Sequence, residues 1–124
     1  MHWLCPLVLL LAACARPPES SDSAPPPDLQ NAEITVVVNN QHWLDLNIYL
    51  VQGPSRRRLG IAPSQSSKVI SVPWARITGS TIRLGGDPFG DRASLVTDFL
   101  AVRPNAVVEW TVGSGLRQSS ASVY

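Results

Sequence analysis

Residues able to do chemistry are few in this chain: among 124 residues there are two cysteines, Cys5 and Cys14, and two histidines, His2 and His42. His42 stands in the polar stretch NNQHW, next to Trp43. Nucleophilic catalysis of the Ser-His-Asp or Cys-His kind needs a base held against a serine or thiol. The run Gly113-Ser114-Gly115 lacks the spacing of the G-x-S-x-G elbow, so His42 is read as a turn histidine with no catalytic role. Zinc asks for three or four His, Cys or carboxylate ligands, which this inventory does not supply. Calcium takes hard oxygen ligands on loops, and Asp87 and Asp91 lie close together in the Gly-rich stretch GGDPFGD. Two carboxylates make a weak calcium candidate, because Asp-Pro with Gly is also ordinary turn chemistry. No cofactor is implied.

Binding residues are better represented. Arg56-Arg57-Arg58 is the densest charge in the chain. In an extended strand Arg56 and Arg58 share one face and Arg57 takes the other, so at most two of them meet a single anionic surface. The competing reading is an edge strand kept from pairing by its charge. Trp43 and Trp74 border turns, where an exposed indole contacts carbohydrate or protein. Trp110 is in phase with Val108 and Val112 and belongs to a core. A net charge of +1 gives no electrostatic footprint for nucleic acid.

Cys14 is different in kind. Residues 3–11 are almost continuously apolar, and Ala12 and Ala13 follow immediately before Cys14. A transmembrane helix needs about 20 apolar residues, whereas an apolar stretch of about 7–15 residues closing on small side chains has the length and shape of a secretory signal. Leu11-Ala12-Ala13-Cys14 resembles the lipobox of bacterial lipoproteins: Leu, two small residues, then Cys. The resemblance covers only the start of the chain, through Cys14. It implies transfer of diacylglycerol to the Cys14 thiol, cleavage between Ala13 and Cys14, and often a further acyl chain on the new amine. Two or three chains make a firm anchor, since each buried methylene contributes about 0.8 kcal/mol. The amino-terminal charge departs from the pattern, resting on Met1 and His2 where Lys or Arg is usual. Ala15 stands where Asp tends to retain such lipoproteins at the inner membrane, which favours the outer membrane of a cell that has two. Residues 15–31, ARPPESSDSAPPPDLQN, carry Pro, Ser and acidic groups with almost nothing to bury. That is the composition of a disordered or semi-rigid spacer, reaching up to roughly 50 Å at about 3.1 Å per residue.

The remainder must position whatever binds. Leu44, Leu46, Ile48 and Leu50 alternate with Asp45, Asn47 and Tyr49, which predicts a half-buried strand. Ile34, Val36 and Val38 share a face in EITVVVNN, and Asn39-Asn40-Gln41 reads as the turn of a hairpin joining the two. Beyond Gly53-Pro54-Ser55, the pattern predicts strands at RRRLGIA, with Arg57, Leu59 and Ile61 on one side, and at residues 68–72, 80–85, 94–102 and 106–112. Residues 85–91 and Pro104-Asn105 are expected turns, and 121–124 an edge strand or a frayed end. Such spacing predicts an all-β fold, a small single-domain antiparallel β-sandwich of about seven strands, with a small closed barrel as the alternative. It resembles immunoglobulin-like modules in strand count alone. Runs this short do not reach the about 9–11 residues of a membrane-spanning strand.

The expected organisation is a signal peptide over 1–13, a lipidated Cys14 with its tether over 14–31, and a folded domain over 32–124. The expected function is a non-catalytic lipoprotein, a binding or structural accessory at the bacterial cell envelope, meeting an envelope protein or glycan. A ligand-binding module for glycan, lipid or calcium is the alternative, and an envelope hydrolase built on His42 the third.

Overall fold

The computed structural model describes residues 27–124. The sequence expectations for residues 1–26, including the signal peptide, Ala13, Cys14 and most of the tether, lie outside the described residues. The alternation of Ile34, Val36 and Val38 becomes strand β1 (Glu33–Asn40), in which every second residue is buried. A single helical turn, α1 (Pro27–Gln30), precedes it at the end of the segment read as tether. The other strands are β2 (Leu46–Gln52), β3 (Ser55–Ala62), β4 (Ser66–Pro73), β5 (Thr81–Pro88), β6 (Leu95–Val96), β7 (Leu100–Ala101), β8 (Val107–Val112) and β9 (Ser119–Val123). A 3₁₀ turn, Trp74–Arg76, follows β4.

These strands form two open sheets packed face to face. One has the order β4-β1-β8-β9; the other runs β3-β2-β5-β6, with β7 also pairing β5. The fold is an all-β sandwich, and neither sheet closes into a barrel. The inner face of the first sheet contributes Ile34, Val36, Val38, Val108 and Trp110, and that of the second Leu46, Ile48, Leu50, Ile82 and Leu84, all buried in one core. Fully burying one such aliphatic side chain contributes about 1.5–3 kcal/mol.

Several expectations are corrected. Asn39-Asn40-Gln41 is not a hairpin turn: β1 and β2 belong to different sheets, and residues 41–45 cross between them. Leu44 therefore lies in the crossover, and β2 begins at Leu46. The sandwich is not purely antiparallel, because β8 runs parallel to β1, with Thr35 opposite Val107. The chain returns from β7 at the end where β1 starts, so the direction follows from the connection. In β3, Ile48 faces Gly60 while Tyr49 faces Arg58. Leu59 is thus the extra residue of a bulge, and Ile61 falls on the outer face rather than in line with Arg57. β5 continues through Pro88, so the expected turn over 85–91 starts later. The expected strand over 94–102 is two short pieces, β6 and β7, broken where Thr97 Oγ1 accepts the Leu84 N–H at 2.9 Å. β9 pairs β8 along the edge, so the carboxyl-terminal segment does not fray.

The connections gather at two ends. β1 starts beside the end of β4, with Glu33 opposite Pro73, and Trp74 N–H donates to Ala32 C=O at 2.9 Å. This entry end also holds the β2–β3 turn and residues 74–80. The far end holds residues 41–45, 63–65, 89–94 and 113–118.

Candidate functional site

At the far end, Asn40 closes β1 and is buried among carbonyl groups. Its Nδ2 donates to the carbonyls of Leu44 at 2.9 Å, Ala62 at 3.1 Å and Pro63 at 3.1 Å. Its Oδ1 accepts the His42 N–H at 2.9 Å. His42 lies in the connection between the sheets and is only 4% exposed. Its Nδ1 accepts the Leu44 N–H at 3.1 Å, so one ring nitrogen is committed to holding the backbone. Ser64 fastens the loop from the other side, donating from Oγ to the Trp43 carbonyl at 2.7 Å while its N–H donates to Asp45 Oδ1 at 2.7 Å. Buried backbone groups need such partners, and here side chains supply them in place of a ladder.

The result is a fixed loop presenting one loose apolar group. The Trp43 side chain is 71% exposed. Its ring centroid lies 5.1 Å from that of His42, the planes tilted by 52°. Together they form one wall of a groove of about 580 Å³ whose other side includes Leu95, Leu116 and Arg117. A large amphipathic ring on a backbone that does not have to be ordered is what a contact surface uses, because binding then costs little conformational entropy.

The other sequence-predicted residues fall elsewhere. Trp74 is half-buried at the entry end, packed against the core. Arg56 and Arg58 do share the outer face of β3, an edge strand, as expected. Arg56 is already engaged: it pairs with Asp87 at 2.8 Å and lies over the Tyr49 ring at 4.0 Å from its centroid, so one side chain straps three strands. Asp87 also accepts from Ser94 Oγ at 2.9 Å, while Asp91 accepts the Ala93 N–H at 3.0 Å. The two carboxylates therefore serve different partners, one on a strand and one on a turn. Among the described residues no three His, Cys, Asp or Glu side chains gather as a metal would need, and no helix is long and apolar enough to cross a membrane. Sequence reasoning missed Leu95, Leu116 and Arg117, which come together only because the 89–94 and 113–118 connections meet at one end. No family model matches the chain, and no curated protein matches it.

Proposed function

We propose that this protein is a membrane-anchored bacterial lipoprotein of the cell envelope whose sandwich is a non-catalytic binding module. Leu11-Ala12-Ala13-Cys14 ahead of a Pro-rich segment is the observation that carries the reading. The geometry supports it in two ways. The imidazole among the described residues has its Nδ1 tied to a backbone N–H, and Trp43, the most exposed tryptophan among the described residues, stands on a side-chain-fastened loop at the end opposite to the one where the chain enters the sheets. The Trp43 groove is then the surface that meets an envelope protein or glycan. The outer membrane is the favoured location, from Ala15 after the modified cysteine.

Labelled fatty acid tests the anchor. The parent chain is expected to incorporate label and sediment with membranes. Cys14→Ser, which removes the only thiol at the cleavage site, is expected to do neither, and equal labelling of the two would overturn the reading. Trp43→Ala in the same cells is expected to keep label and fold while weakening the envelope phenotype of the parent.

A further inference from the structure

The entry end carries a second concavity, of about 440 Å³, between the end of β2, the β2–β3 turn, the 3₁₀ turn and the start of β5. Its lining divides by chemistry. Leu50, Ile82 and Phe99 give an apolar side, while Arg57, Arg76 and Thr78 give a polar one, and among the described residues no Asp or Glu lines it. Arg57 stands opposite Leu50 in the β2–β3 register, on the face that elsewhere points into the core. Near the sheet's end Arg57 is exposed and lines the concavity, on the opposite face from Arg56 and Arg58. Arg76 closes the 3₁₀ turn on the other side. The single ion pair among the described residues is Arg56–Asp87, so neither of these two guanidiniums has a carboxylate partner there.

Two like charges bordering one cavity, with no carboxylate partner among the described residues, repel unless an anion sits between them. Guanidiniums offer planar forks that match phosphate oxygens, and an apolar wall beside them suits a ligand with an attached hydrocarbon portion. We propose that this cavity binds the phosphate group of an anionic amphiphile, with Arg57 and Arg76 on the phosphate oxygens and the apolar portion against Phe99, which is 73% exposed where Leu50 and Ile82 behind it are buried. Such a phosphate comes from a phospholipid headgroup or from a free phosphate. The Ala32–Trp74 hydrogen bond places the cavity beside the point where the chain enters the domain. That this end faces a bilayer rests on the lipoprotein reading; the chemistry of the cavity does not.

The test is calorimetric titration of the full chain in neutral detergent. Dihexanoyl phosphatidylglycerol, dihexanoyl phosphatidylcholine and inorganic phosphate are the probes, each corrected for mixing with empty micelles. Phosphatidylglycerol is expected to bind saturably at one site and at least tenfold more tightly than either of the others. Arg57→Ser with Arg76→Ser is expected to weaken it tenfold or more. Lys68→Ser with Arg92→Ser, the same change in charge at exposed positions elsewhere, is expected to stay within twofold of the parent. Equal weakening by both pairs would reduce the effect to general charge attraction and overturn the proposal. Phosphatidylcholine binding as tightly would remove the anionic requirement, and inorganic phosphate binding as tightly would make the ligand a free phosphate; either result overturns the amphiphile. Thermal unfolding checks the variants, and if the serine pair unfolds, the three-probe comparison on the parent decides alone. Loss of Cys14 labelling leaves this titration standing, whereas a flat titration with Cys14 labelled removes the cavity proposal alone.

Discussion

Asn40 and His42 act as substitutes for a missing β-ladder. Residues 41–45 leave one sheet and join the other: Gln41 N–H still donates to the Val112 carbonyl and the Asp45 carbonyl accepts from Phe89 N–H, while the two side chains take up three carbonyls, of Leu44, Ala62 and Pro63, and the N–H groups of His42 and Leu44. Asn40→Ala leaves several of these groups buried without partners, each at about 1–3 kcal/mol, of which some is recovered by water. The expected loss is about 2–4 kcal/mol in urea unfolding, by analogy with such buried networks. His42→Ala orphans one N–H and is expected to lose about 1–2 kcal/mol. Trp43→Ala, at a side chain mostly in solvent, is expected to stay within about 0.5 kcal/mol of the parent. The order Asn40, His42, Trp43 is the prediction, and a His42→Ala variant as stable as the parent would show that the imidazole does not hold the loop. The same ranking separates structure from function: a phenotype lost in Trp43→Ala at unchanged stability belongs to the groove, whereas one lost in Asn40→Ala belongs to the fold.

Between elements, the closest fit is that of β5 to β8 across the core. Gly86 lies opposite Ile48 on the inner face of its sheet, and a Cβ there would come 2.9 Å from Cη2 of Trp110. The indole of Trp110 therefore occupies the volume that any other residue at 86 would claim. Gly86→Ala is expected to cost about 1–3 kcal/mol by overpacking. Gly85, whose Cβ would meet Val51 Cγ2 at 3.3 Å, is expected to tolerate alanine better. Trp110→Phe shortens the ring, so the cost of Gly86→Ala is expected to shrink in that background, a coupling that a double-mutant cycle on urea midpoints reads directly. Additive losses would place the clash elsewhere. Trp110 as a core residue was legible in the sequence because the period-two pattern of Val108, Trp110 and Val112 is local. Its glycine partner was not, since it arrives from the opposite sheet. The same distinction explains the other differences. The alternation in β1 and β2 announced both strands. That Asn40 ends a strand, however, depends on carbonyls of Ala62 and Pro63 more than twenty positions away, and the bulge at Leu59 depends on pairing with β2. For the site, the bordering position of Trp43 was legible, while burial of His42 and the turning of Arg57 toward the cavity required the register.

At the scale of the whole molecule, the sandwich is polar along its strands. Eight residues of β1 span about 25 Å at roughly 3.3 Å per residue, which separates the entry end, with Arg57 and Arg76, from the far end, with Trp43. An anchor reaching the domain through Ala32 would hold the first end toward the membrane and present the second to partners. A tether alone permits tumbling, so a fixed orientation needs the additional contact that the arginine cavity supplies. The consequence is measurable with single introduced cysteines, because in the lipoprotein reading Cys5 leaves with the signal and Cys14 is capped by lipid. Nitroxide labels at Ser80, an exposed entry-end residue outside the cavity lining, and at Ser114, in the far-end connection, are relaxed by a nickel-chelating lipid in proportion to their nearness to the bilayer. In liposomes containing phosphatidylglycerol the label at 80 is expected to relax clearly more than the label at 114. Arg57→Ser with Arg76→Ser is expected to bring the two together while leaving the protein bound through Cys14. Equal relaxation at both positions in the parent would mean that the domain hangs from its tether without preferred orientation, and the far-end groove would lose its claim to be the outward-facing surface.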